Sequence, residues 1–228
     1  MKRFDTLVIE RRLKPYRFAA ILVVTLSLLG GCMSDSPAPE TPPKREFDQS
    51  TAWHQLEAAA AEAIADLPDF PGFEVRVMLF HACEHQGVVD EDYVNMELAY
   101  QFSEESSKDP LARETYLELL RLRWQEAGYD VHRDEASGTG RDHSLEARRP
   151  DGINYWYSVA PLTALIVQSG CIKAVEGWDA TPCPPPLGGV LPENDRASKH
   201  CAGYPDDVEY ATDAIDPFAS GSASPSDG

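Results

Sequence analysis

Two short stretches of this 228-residue chain gather side chains that could do chemistry. The first is His81-Ala82-Cys83-Glu84-His85. On an extended strand, a period of two puts His81, Cys83 and His85 on one face. Imidazole and thiolate are good Zn²⁺ ligands. The spacing matches no zinc signature, and a disulfide at Cys83 would remove the thiolate. The plainer reading is a disulfide cysteine flanked by half-exposed histidines. The second stretch is Asp142-His143-Ser144, the three residue types of a hydrolytic triad in a row. Neighbours on a strand point to opposite faces, so these three cannot act together. No G-x-S-x-G elbow, phosphate-binding glycine loop or H-E-x-x-H pattern accompanies them. Asp90-Glu91-Asp92 and Glu104-Glu105 pair carboxylates without the spacing of a calcium loop, and read as solvated surface charge. Tyr155-Trp156-Tyr157 would split across a strand. One of its faces packs, and the other could offer an aromatic platform to a glycan or a protein partner. Nothing implies a cofactor or a bound metal.

The composition narrows the setting. Lys and Arg number 20 against 38 Asp and Glu, a net charge of −18. Hydrophobic residues make up 43% and charged residues 25%, ordinary for a globular domain. A polytopic membrane protein and a wholly disordered chain are therefore excluded. The acidity argues against nucleic acid as a partner, because that function needs a basic footprint.

The elements that would position these residues lie in one stretch, about residues 48–175. Thr51 to Leu67 spaces Trp53, Leu56, Ala60, Ile64 and Leu67 as a helix does, with Ser50 able to cap it. Phe73, Val75, Val77 and Leu79 then alternate with Glu74, Arg76 and Met78, as in a strand. A loop from Glu84 to Asp92 leads to Val94, Met96, Leu98, Tyr100 and Phe102, a second strand pairing with the first as a hairpin. Asp109-Pro110 opens a helix that reads to Ala127 and stops at Gly128. Four strands follow, over 129–133, 145–148, 153–159 and 162–172, with Pro150-Asp151-Gly152 as a turn. The expected fold class is α+β, a small antiparallel sheet with two helices on one face in the order α-β-β-α-β-β-β-β. Residues 176–228 are rich in Pro, Gly and Asp and read as a largely disordered extension.

The N-terminus has a different composition. Met1 to Arg17 carry six basic residues, and Phe18 to Leu29 are apolar except for Thr25 and Ser27. About a dozen apolar residues fall short of the roughly 20 that span a bilayer. A basic flank and a short apolar run make a secretory signal. Leu29-Gly30-Gly31-Cys32 follows, and it resembles the lipobox of bacterial lipoproteins. The resemblance implies that 1–31 is a signal peptide and that Cys32 becomes the first residue, carrying lipid on its sulfur. The chain would sit on the extracytoplasmic face of the cell membrane. Residues 32–47, with Pro37, Pro39, Pro42 and Pro43, would be a stiff tether. Losing six basic and two acidic side chains with the leader takes the charge from −18 to −22. The acyl chains must then do the holding, since anionic headgroups repel the protein.

Trp124-Gln125-Glu126-Ala127-Gly128-Tyr129-Asp130-Val131, Pro150-Asp151-Gly152 and Ser169-Gly170-Cys171 together resemble a group of actinomycete cell-envelope lipoproteins of no assigned activity. In that group a late cysteine commonly pairs with one in the first strand, which favours Cys83–Cys171. Cys183–Cys201 would then close a short Pro/Gly-rich loop. Three pairings of the four cysteines remain open, and Cys183 lies closer in sequence to Cys171. The expectation is a non-enzymatic binding or interaction module. It would be anchored in the membrane through Cys32 and would engage an envelope protein or glycan. An envelope enzyme with an unrecognised site and a metal-binding lipoprotein are the rival readings.

Overall fold

The computed structural model describes residues 48–203, except Gln86 and Thr139. The leader, Cys32, the tether and residues 204–228 lie outside the described residues. Six antiparallel strands form one sheet in the order β1-β2-β6-β5-β4-β3. They are β1 (Val75–His85), β2 (Val88–Gln101), β3 (Asp130–Ala136), β4 (His143–Arg148), β5 (Asn154–Val159) and β6 (Ala164–Lys173). Before β1 comes α1 (Gln49–Ile64). Between β2 and β3 lie α2 (Glu104–Lys108), a π-helical turn (Leu111–Thr115) and α3 (Tyr116–Glu126). The core forms where α1 and α3 cover one face, burying Trp53, Leu56, Leu120 and Trp124 against Leu98, Tyr100, Tyr155, Tyr157 and Val167. The opposite face holds a smaller cluster of Ala99, Ala164 and Ile166, with Val77 and Trp156 against it. The expected α+β class and single antiparallel sheet hold. No helix among the described residues is long and apolar enough to cross a membrane.

Local signals account for several boundaries. Gly128, at φ +72°, takes the left-handed conformation that ends α3, and Tyr129 N–H reaches back to the Trp124 carbonyl at 2.9 Å. The Asp109 carboxylate accepts from Leu111 N–H at 2.8 Å, as a cap should. The single helix expected from there to Ala127 instead begins with the π-helical turn. A short helix over 104–108 precedes it, capped by Ser103 accepting from Ser106 N–H at 3.1 Å. In α1 the cap is Asp48, which accepts from Thr51 N–H at 3.0 Å. Ser50 lies inside the helix and donates to the Asp179 carbonyl at 3.4 Å. The hairpin loop is also shorter than 84–92, since β1 runs to His85 and β2 starts at Val88.

Two differences are larger. In β1 the apolar set Val75, Val77, Leu79 faces away from the helices, and Arg76 and Met78 face the core. Arg76 has no exposed surface. Its Nε and Nη2 donate to the two Asp195 oxygens at 2.7 and 2.6 Å, and its Nη1 donates to Glu57 at 2.7 Å and the Pro184 carbonyl at 2.9 Å. Glu57 also accepts from Trp53 Nε1 at 2.9 Å and Tyr100 OH at 2.5 Å. Burial pushes the Glu57 carboxyl above the usual range, against the pull of Tyr100, Arg76 and Trp53. Burial also works against the Arg76 cation, but Asp195 and Glu57 outweigh it and raise its pKa.

The second difference follows from the first. Residues beyond the expected boundary at 175 belong to the same core. Ala180, Val190, Ala197 and Cys201 are buried in the main core, and Asp195 reaches Arg76. Pro and Gly content gave no hint of this, because the contact is one carboxylate meeting one buried cation. Asp195 also bridges to Arg76 through the backbone, so the segment lies along the outer edge of β1.

Removing one member of a buried ion pair strands its partner, at a cost of about 3–5 kcal/mol. Arg76→Met should lower the urea unfolding free energy by that amount. A loss under about 1 kcal/mol would mean that the network is not what joins α1, β1 and the 176–203 segment.

Candidate functional site

The four cysteines of the described region form two disulfides, Cys83–Cys171 and Cys183–Cys201. The first ties β1 to β6, the two neighbours of β2, where the β1–β2 register shifts between Ala82 and Cys83. It closes a loop of 88 residues, a constraint on the unfolded chain that stabilises by about 4–5 kcal/mol in the chain-entropy model. Cys83 therefore has no thiolate to offer a metal. The flanking histidines go separate ways. His85 Nδ1 lies 2.8 Å from Asp90 Oδ2, with its ring edge-on to Tyr93. His81 lies 3.4 Å from Glu97 Oε2. Among the described residues, no group of three or more His, Cys, Asp or Glu side chains converges to hold a metal ion.

Asp142, His143 and Ser144 also part company. His143 Nε2 meets Asp134 Oδ1 at 2.6 Å, whereas Ser144 donates to Glu146 at 3.3 Å. The Asp142 N–H donates to Ser137 Oγ at 3.2 Å. Asp90 is used locally by His85 and by Asp92 N–H. The aromatic trio splits as its spacing requires. Tyr155 OH donates to the Ala59 carbonyl at 3.2 Å and Tyr157 OH to the Ala112 carbonyl at 2.7 Å, both under the helices. Trp156 lies on the opposite face, half-buried beside Ile166.

That opposite face holds a polar line that the alternation in β2 could have signalled. Asn154 Nδ2 donates to Gln168 Oε1 at 3.1 Å, and Gln168 Nε2 donates to Glu97 Oε2 at 2.6 Å. Glu97 is only 3% exposed, and its Oε1 has no hydrogen-bond partner. Three strands, β2, β6 and β5, supply this line.

A concavity lies elsewhere among the described residues. It is a cavity of about 670 Å³ between the 108–121 helical stretch and the β3–β4 loop. That size suits a small-molecule ligand. Leu117 and Val159 give it an apolar floor, Lys108, Arg113, Arg121 and Arg141 bring positive charge, and His143 lies beside them. Glu114 and Glu118 also line it. One wall is a connected chain of charges. Arg121 binds Glu118 and forks onto both oxygens of Asp134, through Nε at 2.6 Å and Nη2 at 2.9 Å, and Asp134 meets His143. The hydrogen bonds from Arg121 hold the Asp134 carboxyl below its usual range, with His143 adding to the effect. Arg113 is held differently. Its Nη1 donates to the carbonyls of Ser107 and Ala160 at 3.1 and 2.8 Å, and its Nη2 donates to the carbonyl of Arg141. The sequence could not announce this cavity, because its walls come from segments some 30 residues apart. Compared with known protein families, curated proteins and solved structures, the chain matches none.

One further group has an unusual environment. His200 stacks on Trp178 and meets Phe80 edge-on, with its Nε2 buried and unpartnered. Burial, helped by Lys199, pushes its pKa down to about 4. An unfolded histidine takes its proton near pH 6.5. Between those values the unfolded chain binds more protons, so stability falls as pH drops through that window. His200→Phe keeps the ring contacts and removes the titration. Melting curves from pH 7 to pH 4.5 should show a smaller loss of Tm in His200→Phe than in the parent. Equal losses would clear His200 of the effect.

Proposed function

We propose that this protein is a lipid-anchored binding module on the extracytoplasmic face of the cell membrane, engaging an envelope protein or glycan. Cysteine bookkeeping carries the reading. The chain has five cysteines, and the two disulfides use four of them. The fifth, Cys32, is the one in Leu29-Gly30-Gly31-Cys32. Disulfides persist in oxidising compartments outside the cytosol, which agrees with export. A free thiol beside two oxidised pairs would be exposed to exchange. A cysteine consumed by a thioether is not.

The remaining parts fit this arrangement. Residues 32–47 would supply a spacer between the acyl chains and Asp48, where α1 is capped. Proline at 37, 39, 42 and 43 favours an extended spacer. An acidic protein gains no attraction from anionic headgroups, so attachment rests on the acyl chains, at about 0.8 kcal/mol per buried CH₂. The metal-binding alternative has lost its sulfur ligand, because Cys83 is bonded to Cys171.

Intact-mass spectrometry of the native membrane fraction tests the proposal. The expected species begins at Cys32, carries added acyl mass and has two disulfides. Cys32→Ser should leave an uncleaved precursor without lipid. A mature native protein without acyl mass would overturn the anchor.

A further inference from the structure

We infer that the cavity between the 108–121 helical stretch and the β3–β4 loop is a binding site for a small organic oxyanion, a carboxylate or a phosphate ester, held by Arg113 and Arg141. This deepens the binding-module reading and rests on it only for the location of the ligand.

The argument begins with charge pairing. This chain has nearly two acidic side chains for each basic one, 38 against 20. In such a background arginines readily find carboxylates. Arg76 has two, Arg121 has two, Arg133 has two and Arg149 has two. Lys108, at the cavity rim, has Glu104. Arg113 and Arg141 have no carboxylate partner among the described residues, and both line the same cavity.

Arg113 is fixed in place by neutral groups. Three backbone carbonyls, from Ser107, Ala160 and Arg141, take three of its five N–H donors. They orient the guanidinium without cancelling its charge. Its Nε hydrogen and one Nη2 hydrogen remain. The bond to the Arg141 carbonyl sets the two arginines next to each other. The Arg141 side chain is exposed and makes no hydrogen bond or ion pair with the described residues. A planar guanidinium matches the two oxygens of a carboxylate or phosphate, and a pre-oriented one loses less freedom on binding.

The rest of the lining sets the ligand's size and limits its charge. Leu117 and Val159 offer apolar contact for a carbon skeleton. Glu114 and Glu118 on the same wall disfavour an anion extended along the helix. They therefore confine the oxyanion to the end where Arg113 and Arg141 meet. The volume of about 670 Å³ exceeds what an inorganic ion would fill.

The test is calorimetric titration of the full lipidated chain in neutral detergent, at low salt, with benzoate and separately with phenyl phosphate. At least one should bind at a single site. The affinity should fall with added salt, as an ionic contact near the surface must. Arg141→Gln, which removes no hydrogen bond of the fold, should weaken binding by on the order of tenfold, the loss of one charge-assisted contact. Lys173→Gln, an exposed control on β6, should leave it unchanged. Benzoate alone binding points to a carboxylate source, and phenyl phosphate alone points to a phosphate ester. Each supports the inference. No binding of either probe, or equal binding by Arg141→Gln, overturns it. A native chain found without acyl mass that still binds in an Arg141-dependent way would overturn the anchor and uphold the site, whereas an acylated native chain that binds neither probe would overturn the site alone.

Discussion

A guanidinium with no exposed surface cannot be left without counter-charge, and this requirement organises the molecule. Arg76 sits in β1, Glu57 in α1, and Asp195 in the segment beyond the sheet. Taking such a charge out of water is costly unless its donors are all directed to acceptors. Here four of the five N–H donors of Arg76 go to Asp195, Glu57 and the Pro184 carbonyl, and the guanidinium centre lies 5.4 Å from the Trp53 ring. Tyr100 and Trp53 complete Glu57, and Leu187 N–H donates to Tyr100 at 3.0 Å. Hydrophobic burial alone would tolerate several placements of the 176–203 segment. The network accepts one, because a shift of a few ångströms would strand a charge in the core. Its contribution is specificity of arrangement more than net stability.

Much of the sheet was legible in the sequence. The alternation of Met96, Leu98, Tyr100 and Phe102 marks the helix-facing side of β2, and Tyr155 and Tyr157 mark that of β5. Gly128 and Asp109 act at the termini as their chemistry dictates. The failures have one physical source. Alternation assigns apolar residues to the core, so β1 reads with Val75, Val77 and Leu79 inward. The counter-charges that reverse it are 19 and 119 residues from Arg76. No local pattern encodes a partner so distant. Asp48 displaced Ser50 as the α1 cap for a smaller reason, since both are good caps two residues apart and tertiary packing chose between them.

The candidate sites divide in a similar way. The cysteines were legible because oxidation state and count constrain them strongly. The split of Tyr155, Trp156 and Tyr157 was legible because a strand leaves no other choice. The separation of His143 from Ser144 followed from the same geometry. The cavity was not legible, because Arg113 on the helical stretch and Arg141 in the β3–β4 loop meet only after the helices dock. What distinguishes those two arginines is that they line one cavity and neither forms an ion pair with a described carboxylate, and only coordinates reveal that.

The two margins of the sheet are finished differently. At the β1 side the backbone of Asp195 bridges to Arg76, so the terminal segment occupies part of the row of amides that would otherwise be open. At the other side, β3 has no outer neighbour among the described residues and reads Asp-Val-His-Arg-Asp-Glu-Ala, five of seven residues ionisable. An open strand is a template for a second chain, and charge along it is how natural sheets refuse one. Confinement to a membrane surface would bring copies of this domain together far more often than free diffusion would. Under the proposed anchoring, a plugged margin and a charged one would disfavour pairing between neighbouring copies.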